Sequence, residues 1–418
     1  MQMQRDPLRF LSRHHREFPD IYGWRAFRQN MVVLGCPDLV QRLLTGHPTE
    51  FEKGLALQRS RVLLGDGLLT AEGENHLRSR RMLQPAFRKA RIQSYGELMV
   101  EETMGRVTRW KVGLYDIHKE MMDLALSIVC KTLVGKNIEV DGQSVSDSLE
   151  PVLNNFRLTL LPFFSLLRRL PIPQVQKLNR DVDNLIHLAD DLVRRCEGVT
   201  EGSILELLEG EERQKKVDQV LTLLLAGHET TANTLTFSLH LLAKHPDIQD
   251  LWQHELDEVL AGRPPTVEDY GRLPLTSRIL EETLRLYPPA WVVGRRNLLP
   301  LDWDGYQIEA GTIILAPQWI LHRDPRFFQD PDRFHPDRWC DLRPEKGAYF
   351  PFGGGARVCI GEGFARMEAL LILTILGQKF RFALDSPEEP ELSAGITLRP
   401  RGGLKLLLTE RRTAPVVV

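Results

Sequence analysis

Ala348-Tyr-Phe-Pro-Phe-Gly-Gly-Gly-Ala-Arg-Val-Cys-Ile-Gly-Glu-Gly-Phe-Ala-Arg-Met-Glu368 is the stretch from which the rest of the chain is read. Gly353, Gly354 and Gly355 let the backbone take positive φ and pass close to a flat partner. Arg357, Cys359 and Gly361 follow, and an apolar helical pattern begins at once. Cys359 therefore stands at a helix entry, where oriented N–H groups and the positive end of the dipole favour thiolate. The plain alternative is a buried or free thiol. A phosphate cradle is excluded, because the spacing is not GxGxxG after a strand and no GK[ST] follows.

Upstream, Glu282-Thr-Leu-Arg285 sits on a helix that ends before Pro288-Pro289, and an i,i+3 pair of this kind is common. Phe334-His-Pro-Asp-Arg338-Trp339 comes later, and Ala290-Trp-Val-Val-Gly-Arg295-Arg296 between them reads as an extended strand. Further upstream, Glu212 to Lys244 lacks proline and is apolar in its middle. Some 30 helical residues span about 45 Å, and apolar residues on nearly all sides mark a buried helix. Inside it lies Ala226-Gly-His-Glu-Thr-Thr231. Glycine in mid-helix costs roughly 1 kcal/mol against alanine. A buried glutamate is costlier unless paired or protonated. Such violations of local preference gather at functional sites; a packing glycine and a salt-bridged glutamate are the alternative. A zinc-protease motif fails, since residue 232 is Ala232 and not histidine.

Toward the N-terminus, His76 and Arg80 share a helix face, followed by Pro85-Ala-Phe87. A solvated basic helix is the ordinary reading. Phe51 to Gly73 is expected as a loop-rich segment, and Ile21 to Gly35 as two strands turning at Gln29-Asn30. Pro37-Asp38 opens a short helix. Met99 to Gly135 reads as helix, Gly142 to Asp147 as a polar loop. Asn155 to Pro173, broken by Pro162, reads as core or a lid. Ile396 to Leu404 reads as a terminal hairpin.

Composition excludes several classes. A net charge of −2 leaves no global basic surface for nucleic acid. The five cysteines are scattered without a CxxC pair, which fits neither a disulfide framework nor a zinc site and suits a reducing cytoplasm. No run approaches the ~20 apolar residues of a membrane span, and the charged N-terminal stretch is no signal peptide. The expectation is a soluble cytoplasmic protein without a transmembrane anchor.

The spacing Phe352-x-x-Gly355-x-Arg357-x-Cys359-x-Gly361 resembles the haem-binding loop of the cytochromes P450, and three further stretches agree in order and distance. The resemblance runs from about residue 20 to 410. It implies a mainly α fold with a smaller β region (α+β), as one haem domain over 1–418. That domain has an N-terminal β-rich part at about 20–70, a helical body at about 74–290 and the ligand loop at 349–363, with no fused reductase. The cofactor implied is haem b, with Cys359 as axial iron ligand and O2 as co-substrate. His76, Arg80, Arg295 and Arg357 would hold the propionates, with Arg296 as the alternative to Arg295. Phe352 and Gly361 complete the loop. Ala226 and Gly227 would make room for dioxygen, while Glu229 and Thr230 deliver protons. Glu282, Arg285 and Arg338 would form a buried structural network, although Asp337 and Trp339 depart mildly from the family's phrase.

Ala290, Val292, Val293 and Ile396 are expected to line a pocket for a small apolar substrate. A carotenoid, a long-chain fatty acid or a terpenoid would fit. LLLAGHETTA, LRLYPPAW, YFPFGGGARVCIG and TLRPRGGL are similar to phrases of a thermophilic bacterial carotene hydroxylase of the family. Electrons would come ultimately from NAD(P)H through a separate ferredoxin or flavodoxin and its reductase. Arg78, Arg81, Arg88, Lys89 and Arg91 offer either a patch for an acidic donor or a plain solubilising surface. A monomer is expected. The alternatives are a peroxide-driven peroxygenase or isomerase on the same fold, or a non-catalytic haem-thiolate carrier or sensor.

Overall fold

The proline-free run around residue 230 is a helix of 32 residues, Arg213–Lys244, ending where His245 leaves helical geometry ahead of Pro246. The computed structural model describes residues 2–411 apart from 27, 48, 136–141, 156–157, 159–163, 165–169, 171 and 197–201. In chain order, the first part holds α1 (Pro7–Glu17), β1 (Ile21–Ala26), β2 (Gln29–Leu34), α2 (Pro37–Thr45), β3 (Phe51–Lys53), α3 (Leu55–Leu64) and α4 (Gly73–Leu83). The helical body follows with α5 (Lys89–Val107), β4 (Gly113–Asp116), α6 (Ile117–Val134), α7 (Gly142–Asn154), α8 (Pro173–Arg195), α9 (Arg213–Lys244), α10 (Pro246–Leu260) and α11 (Pro274–Leu286). Strands β5 (Val293–Asn297), β6 (Leu301–Trp303), β7 (Tyr306–Ile308) and β8 (Ile313–Ala316) precede α12 (Glu362–Lys379). The chain closes with β9 (Phe380–Leu384), β10 (Leu392–Ala394), β11 (Leu398–Pro400) and β12 (Lys405–Glu410). This is the mainly helical α+β arrangement expected.

Helix α9 is the axis of the large core, which draws on α5, α6, α8, α10 and α12. A five-stranded sheet, order β1-β2-β8-β5-β3, stands to one side. Its β2–β8 pair is parallel, with Met31 opposite Ile313. A second core under this sheet joins Val40 and Leu44 of α2 to Phe51, Ile314 and Phe350, the last just ahead of the cysteine loop. The loop is thus seated against the sheet by its own apolar residue. Among the described residues, no helix is long and apolar enough to cross a membrane.

Several local expectations are corrected. Gln29 and Asn30 pair with Ala26 and Arg25, so the reversal lies before Gln29. The segment after Phe51 contains the strand β3 and the ten-residue helix α3. Met99 to Gly135 is interrupted by β4, which pairs with β12 from the far end of the chain; propensity cannot reveal such a partner. Gly142 to Asp147 is the first part of α7. The strand after Ala290 starts at Val293. The terminal hairpin is β10–β11, with Ile396 in its turn, and not Ile396 to Leu404. Pro162 and most of the segment read as core or lid lie outside the described residues.

Candidate active site

Gly353 and Gly355 adopt φ of +72° and +63°. A Cβ at Gly355 would run into the Leu44 carbonyl oxygen, so glycine is required there both by backbone conformation and by space. The Cys359 N–H donates to the Phe352 carbonyl at 2.9 Å and the Gly353 N–H to Phe350 at 2.9 Å, which closes the loop on itself. Arg366 lies 4.7 Å over the Phe352 ring and pairs with Glu281 and Glu362. We expect Gly355→Ala to cost at least about 1–2 kcal/mol from the left-handed backbone alone, with the Leu44 clash added. Thermal unfolding measures it, and an unchanged midpoint would contradict the argument.

The Cys359 side chain is exposed on one side, yet surrounding protein desolvates its sulfur. Burial pushes the thiol up, Glu362 adds to this, and the Gly361 N–H and Arg80 pull it back. The Gly361 N–H at the helix entry and Arg80 favour the thiolate, against the burial that disfavours it. No cluster of three or more His, Cys, Asp or Glu able to hold a metal occurs among the described residues. A single thiolate suits a metal that arrives with its own planar ligand set.

Beside the loop lies a buried basic cluster. Arg80 donates to the Val358 carbonyl at 2.8 Å. Arg357 donates to Phe51 O at 2.9 Å and to Glu72 at 2.7 Å, while its buried Nε has no partner. Arg295 is buried, and among the described residues its guanidinium bonds only the adjacent Gly294 carbonyl, at 3.0 Å. Its neighbour Arg296 pairs with Glu52 instead, which leaves Arg295 as the inward residue. His76 is buried too; desolvation first, then Lys53, Arg357, Arg80 and Arg295, push it down to about 4. Lys53, which sequence reading missed, is buried with Nζ on Leu68 O at 2.9 Å and Ala71 O at 2.5 Å. Desolvation pulls it down to about 7. A lysine in a short Phe-Glu-Lys strand carries no signal of this. Among the described residues, Arg80, Arg295, Arg357 and the partly neutralised Lys53 are set against Glu72 and, farther out, Asp66, and excess buried charge of one sign calls for an anion. A carboxylate-bearing group at the loop fits this chemistry and the vacant donor on Arg357.

Across the core, α9 is buried from Val217 to Ala243 except at Ala226, Gly227 and Thr230. This one-turn window is open although the helix around it is not. A Cβ on Gly227 would stand 2.9 Å from Val129. Thr230 Oγ1 donates to the Ala226 carbonyl at 2.7 Å. Helix α9 packs against α12, where the fully buried Glu368, with neither carboxyl oxygen hydrogen-bonded among the described residues, is pushed up to about 8 by burial. Glu368 lies six residues, about 9 Å, along α12 from the cysteine loop. The window and the loop therefore flank one helix contact.

Glu229 is 2% exposed, with Arg399 of β11 3.5 Å from its Oε1. Burial raises its carboxyl, and Arg399 and Thr397 pull it back. Arg399 is the second residue missed by sequence reading. His228 is buried with both ring nitrogens unpartnered, and desolvation takes it to about 4.

The network predicted behind the site is present. Glu282 accepts from Arg285 Nε and Nη2 at 2.9 and 2.8 Å, Arg338 Nε at 3.0 Å, Trp339 Nε1 at 2.9 Å and His335 N–H at 3.0 Å. The departure at Trp339 is thus put to use as an indole donor. Of the expected pocket residues, Ala290 is exposed, and Val292, Val293 and Ile396 are half-buried. Val292 and Val293 pack into the cores on the sheet side. Arg78 and Arg91 are engaged by Glu211 and Glu206, which weakens the basic patch; Arg81, Arg88 and Lys89 stay exposed.

Residues 1–407 match the family described as Cytochrome P450. The chain is a cytochrome P450. It is 33% identical over 407 residues to cyclooctat-9-en-7-ol 5-monooxygenase of Streptomyces melanosporofaciens, covering 91% of this chain and 86% of that one. It is 33% identical over 426 residues to pentalenene oxygenase of Streptomyces avermitilis, covering 98% and 94%. Among solved structures, the cytochrome P450DA heme domain superposes with a TM-score of 0.86 at 26% identity, covering 97% of this chain and 93% of that one. In this cytochrome P450 the prosthetic group is haem. Cys359 would supply its thiolate, and the Lys53, His76, Arg80, Arg295 and Arg357 cluster would take its carboxylates.

Proposed function

We propose that this chain is a haem-thiolate monooxygenase that hydroxylates a cyclic terpenoid. The carrying observation is the open turn Ala226-Gly227-Thr230 in a helix otherwise buried from 217 to 243, flanking the same helix contact as the Cys359 loop. When bound, haem supplies the oxygen-activating chemistry, with thiolate ligation favouring O–O cleavage.

The chain's own residues do the rest. The cation cluster holds the carboxylate edge. Ala226, exposed at the window, keeps space free beside α9, and Gly227 lets Val129 of α6 pack close. The Glu229 carboxyl, raised by burial and pulled back by Arg399 and Thr397, is the proton source, and the Thr230 hydroxyl, which donates to the Ala226 carbonyl within the helix, would turn from that carbonyl to pass a proton to the cavity. Ile396 in the hairpin turn and Val292 and Val293 supply apolar surface for substrate. Electrons come from a separate ferredoxin or flavodoxin and its NAD(P)H-dependent reductase. The names of the two Streptomyces relatives support a cyclic terpenoid over a fatty acid; a carotenoid, itself a long terpenoid, is the second reading. The acid–alcohol pair Glu229–Thr230 weighs against a peroxide-driven enzyme and against a passive carrier.

A spin-state titration of the ferric protein tests substrate class. A saturable low- to high-spin shift is expected with a cyclic terpene. A shift with only a long-chain fatty acid overturns the terpenoid assignment, and a shift with only β-carotene moves it to the second reading. Thr230→Ala is expected to lower product formation about 10²-fold while reductant is still consumed and peroxide released. Unchanged product per NAD(P)H would remove Thr230 from proton delivery.

A further inference from the structure

Strand β8 runs into Pro317 and a single helical turn, Gln318–Leu321, which His322 closes. The His322 N–H donates to the Gln318 carbonyl at 2.9 Å, and the two side chains, four apart, leave the turn on one face. Both are wholly buried. Both act on the backbone of Phe350. Its N–H donates to His322 Nε2 at 3.1 Å, and Gln318 Nε2 donates to its carbonyl. The same carbonyl accepts the Gly353 N–H that folds the cysteine loop back on itself. The residue from which the loop springs is thus held from outside the loop. His322 is tied on its other side as well. Its carbonyl accepts from Arg285 Nη1 at 2.8 Å, the guanidinium that Glu282 holds. One residue joins the buried Glu282 network to the cysteine loop.

Donor and acceptor roles fix the state of the ring. A backbone N–H only donates, so Nε2 must offer a lone pair and the neutral ring carries its proton on Nδ1. A protonated ring would set two donors head to head and strand the Phe350 N–H. It would also bury a charge beside other cations. The groups facing the ring are Arg285 and the backbone of Leu284 from α11, Arg323 on its own segment, and the Tyr349 and Phe350 rings at 4.8 and 5.4 Å. The Tyr349 hydroxyl is engaged by Glu281. Burial first, then Arg285, push His322 down to about 3, with the backbone of Leu284 and Arg285 opposing.

We propose that Gln318 and His322 are positioning residues for the Cys359 thiolate, which hold the cysteine loop at Phe350, and that this hold is acid-labile because His322 serves only as a neutral acceptor. Opening the loop exposes the ring to water, where it titrates at about 6.5. The closed value lies below the open one, so the open form binds the extra proton. The hold is complete above about pH 6.5 and weakens as pH falls, by about tenfold in the opening equilibrium per unit.

The experiment is hydrogen–deuterium exchange of residues 349–360 in the holoenzyme at pH 7 and pH 5, with α9 as internal reference. The red-shifted carbon monoxide band is followed beside it. From pH 7 to pH 5, wild-type opening is expected to rise about 20-fold beyond the change in His322→Gln. That variant keeps an acceptor that does not titrate and should match wild type at pH 7. His322→Leu leaves the buried Phe350 N–H without an acceptor and should open the loop about tenfold more at both pH values. Gln318→Met should loosen the loop and keep the pH dependence. The band should outlast wild type in His322→Gln at pH 5 and decay sooner than wild type in His322→Leu at pH 7. Equal pH dependence in wild type and His322→Gln overturns the proposal, as does a His322→Leu loop no looser than wild type at pH 7. If the loop opens as expected while the band decays alike in all variants, the hold does not reach the thiolate and the proposal falls likewise. A wild type without the red-shifted band refutes Cys359 as iron ligand instead; only the band readout rests on that reading, and exchange still decides the hold.

Discussion

Cys359→Ser is expected to leave the fold intact and abolish both turnover and the red-shifted carbon monoxide band of the reduced protein. The substitution exchanges one atom. The loop is held by elements that survive it: Gly353 and Gly355 in left-handed conformation, the Cys359 N–H on Phe352, and Phe350 in the core beneath the sheet. What disappears is the soft anionic sulfur that tunes the iron. Carbon monoxide difference spectroscopy alongside thermal unfolding separates the two. A red-shifted band in the serine variant would reassign the ligand, and a collapsed fold would mean that the loop depends on the thiol.

Glu282→Ala should be the most destabilising single change outside the haem loop. Glu282 and Arg285 are 0% exposed, and the carboxylate holds five donors from two arginines, an indole and a backbone amide. Its removal leaves Arg285 and Arg338 without their buried counter-charge, at about 3–5 kcal/mol. Against a total stability of about 5–15 kcal/mol, much of the margin is lost, and haem retention with it. Urea unfolding measures the change. The control is Arg278→Ala, which removes a surface pair with Asp337 and should cost under about 1 kcal/mol. Equal effects in the two would refute the network's role.

What the sequence revealed followed from residues that break local rules. Three glycines before a cysteine, and a glycine and glutamate inside a buried helix, cost stability unless something else requires them. They stood out for that reason, and the loop and α9 fall where expected. The Glu282 network was legible only through the family resemblance, since a Glu and Arg three apart are common on any helix. Arg399 was not: it reaches Glu229 across 170 positions, and an arginine in a hairpin looks like any solvated charge. Lys53 was hidden in the same way. Its burial comes from the turn at Leu68 to Ala71 folding over it, which composition cannot announce. The strands are uneven: β1 and β2 fall within the expected Ile21 to Gly35, whereas β4 is fixed by its distant partner β12 and not by its own residues.

The parallel pairing of β2 with β8 has a consequence for biosynthesis. Gln29 bonds the Gly311 carbonyl, 282 positions later, and His15 pairs with Asp324. At translation rates of about 5–20 residues per second, the first strands wait roughly 15–60 s for these partners. During that interval the β1–β2 ribbon has an unsatisfied edge, the feature most prone to mispairing. The cysteine loop emerges later still and needs α2 and the finished sheet to rest on. The sheet and the loop seated on it thus close only after the chain has been made past β8 and the cysteine loop.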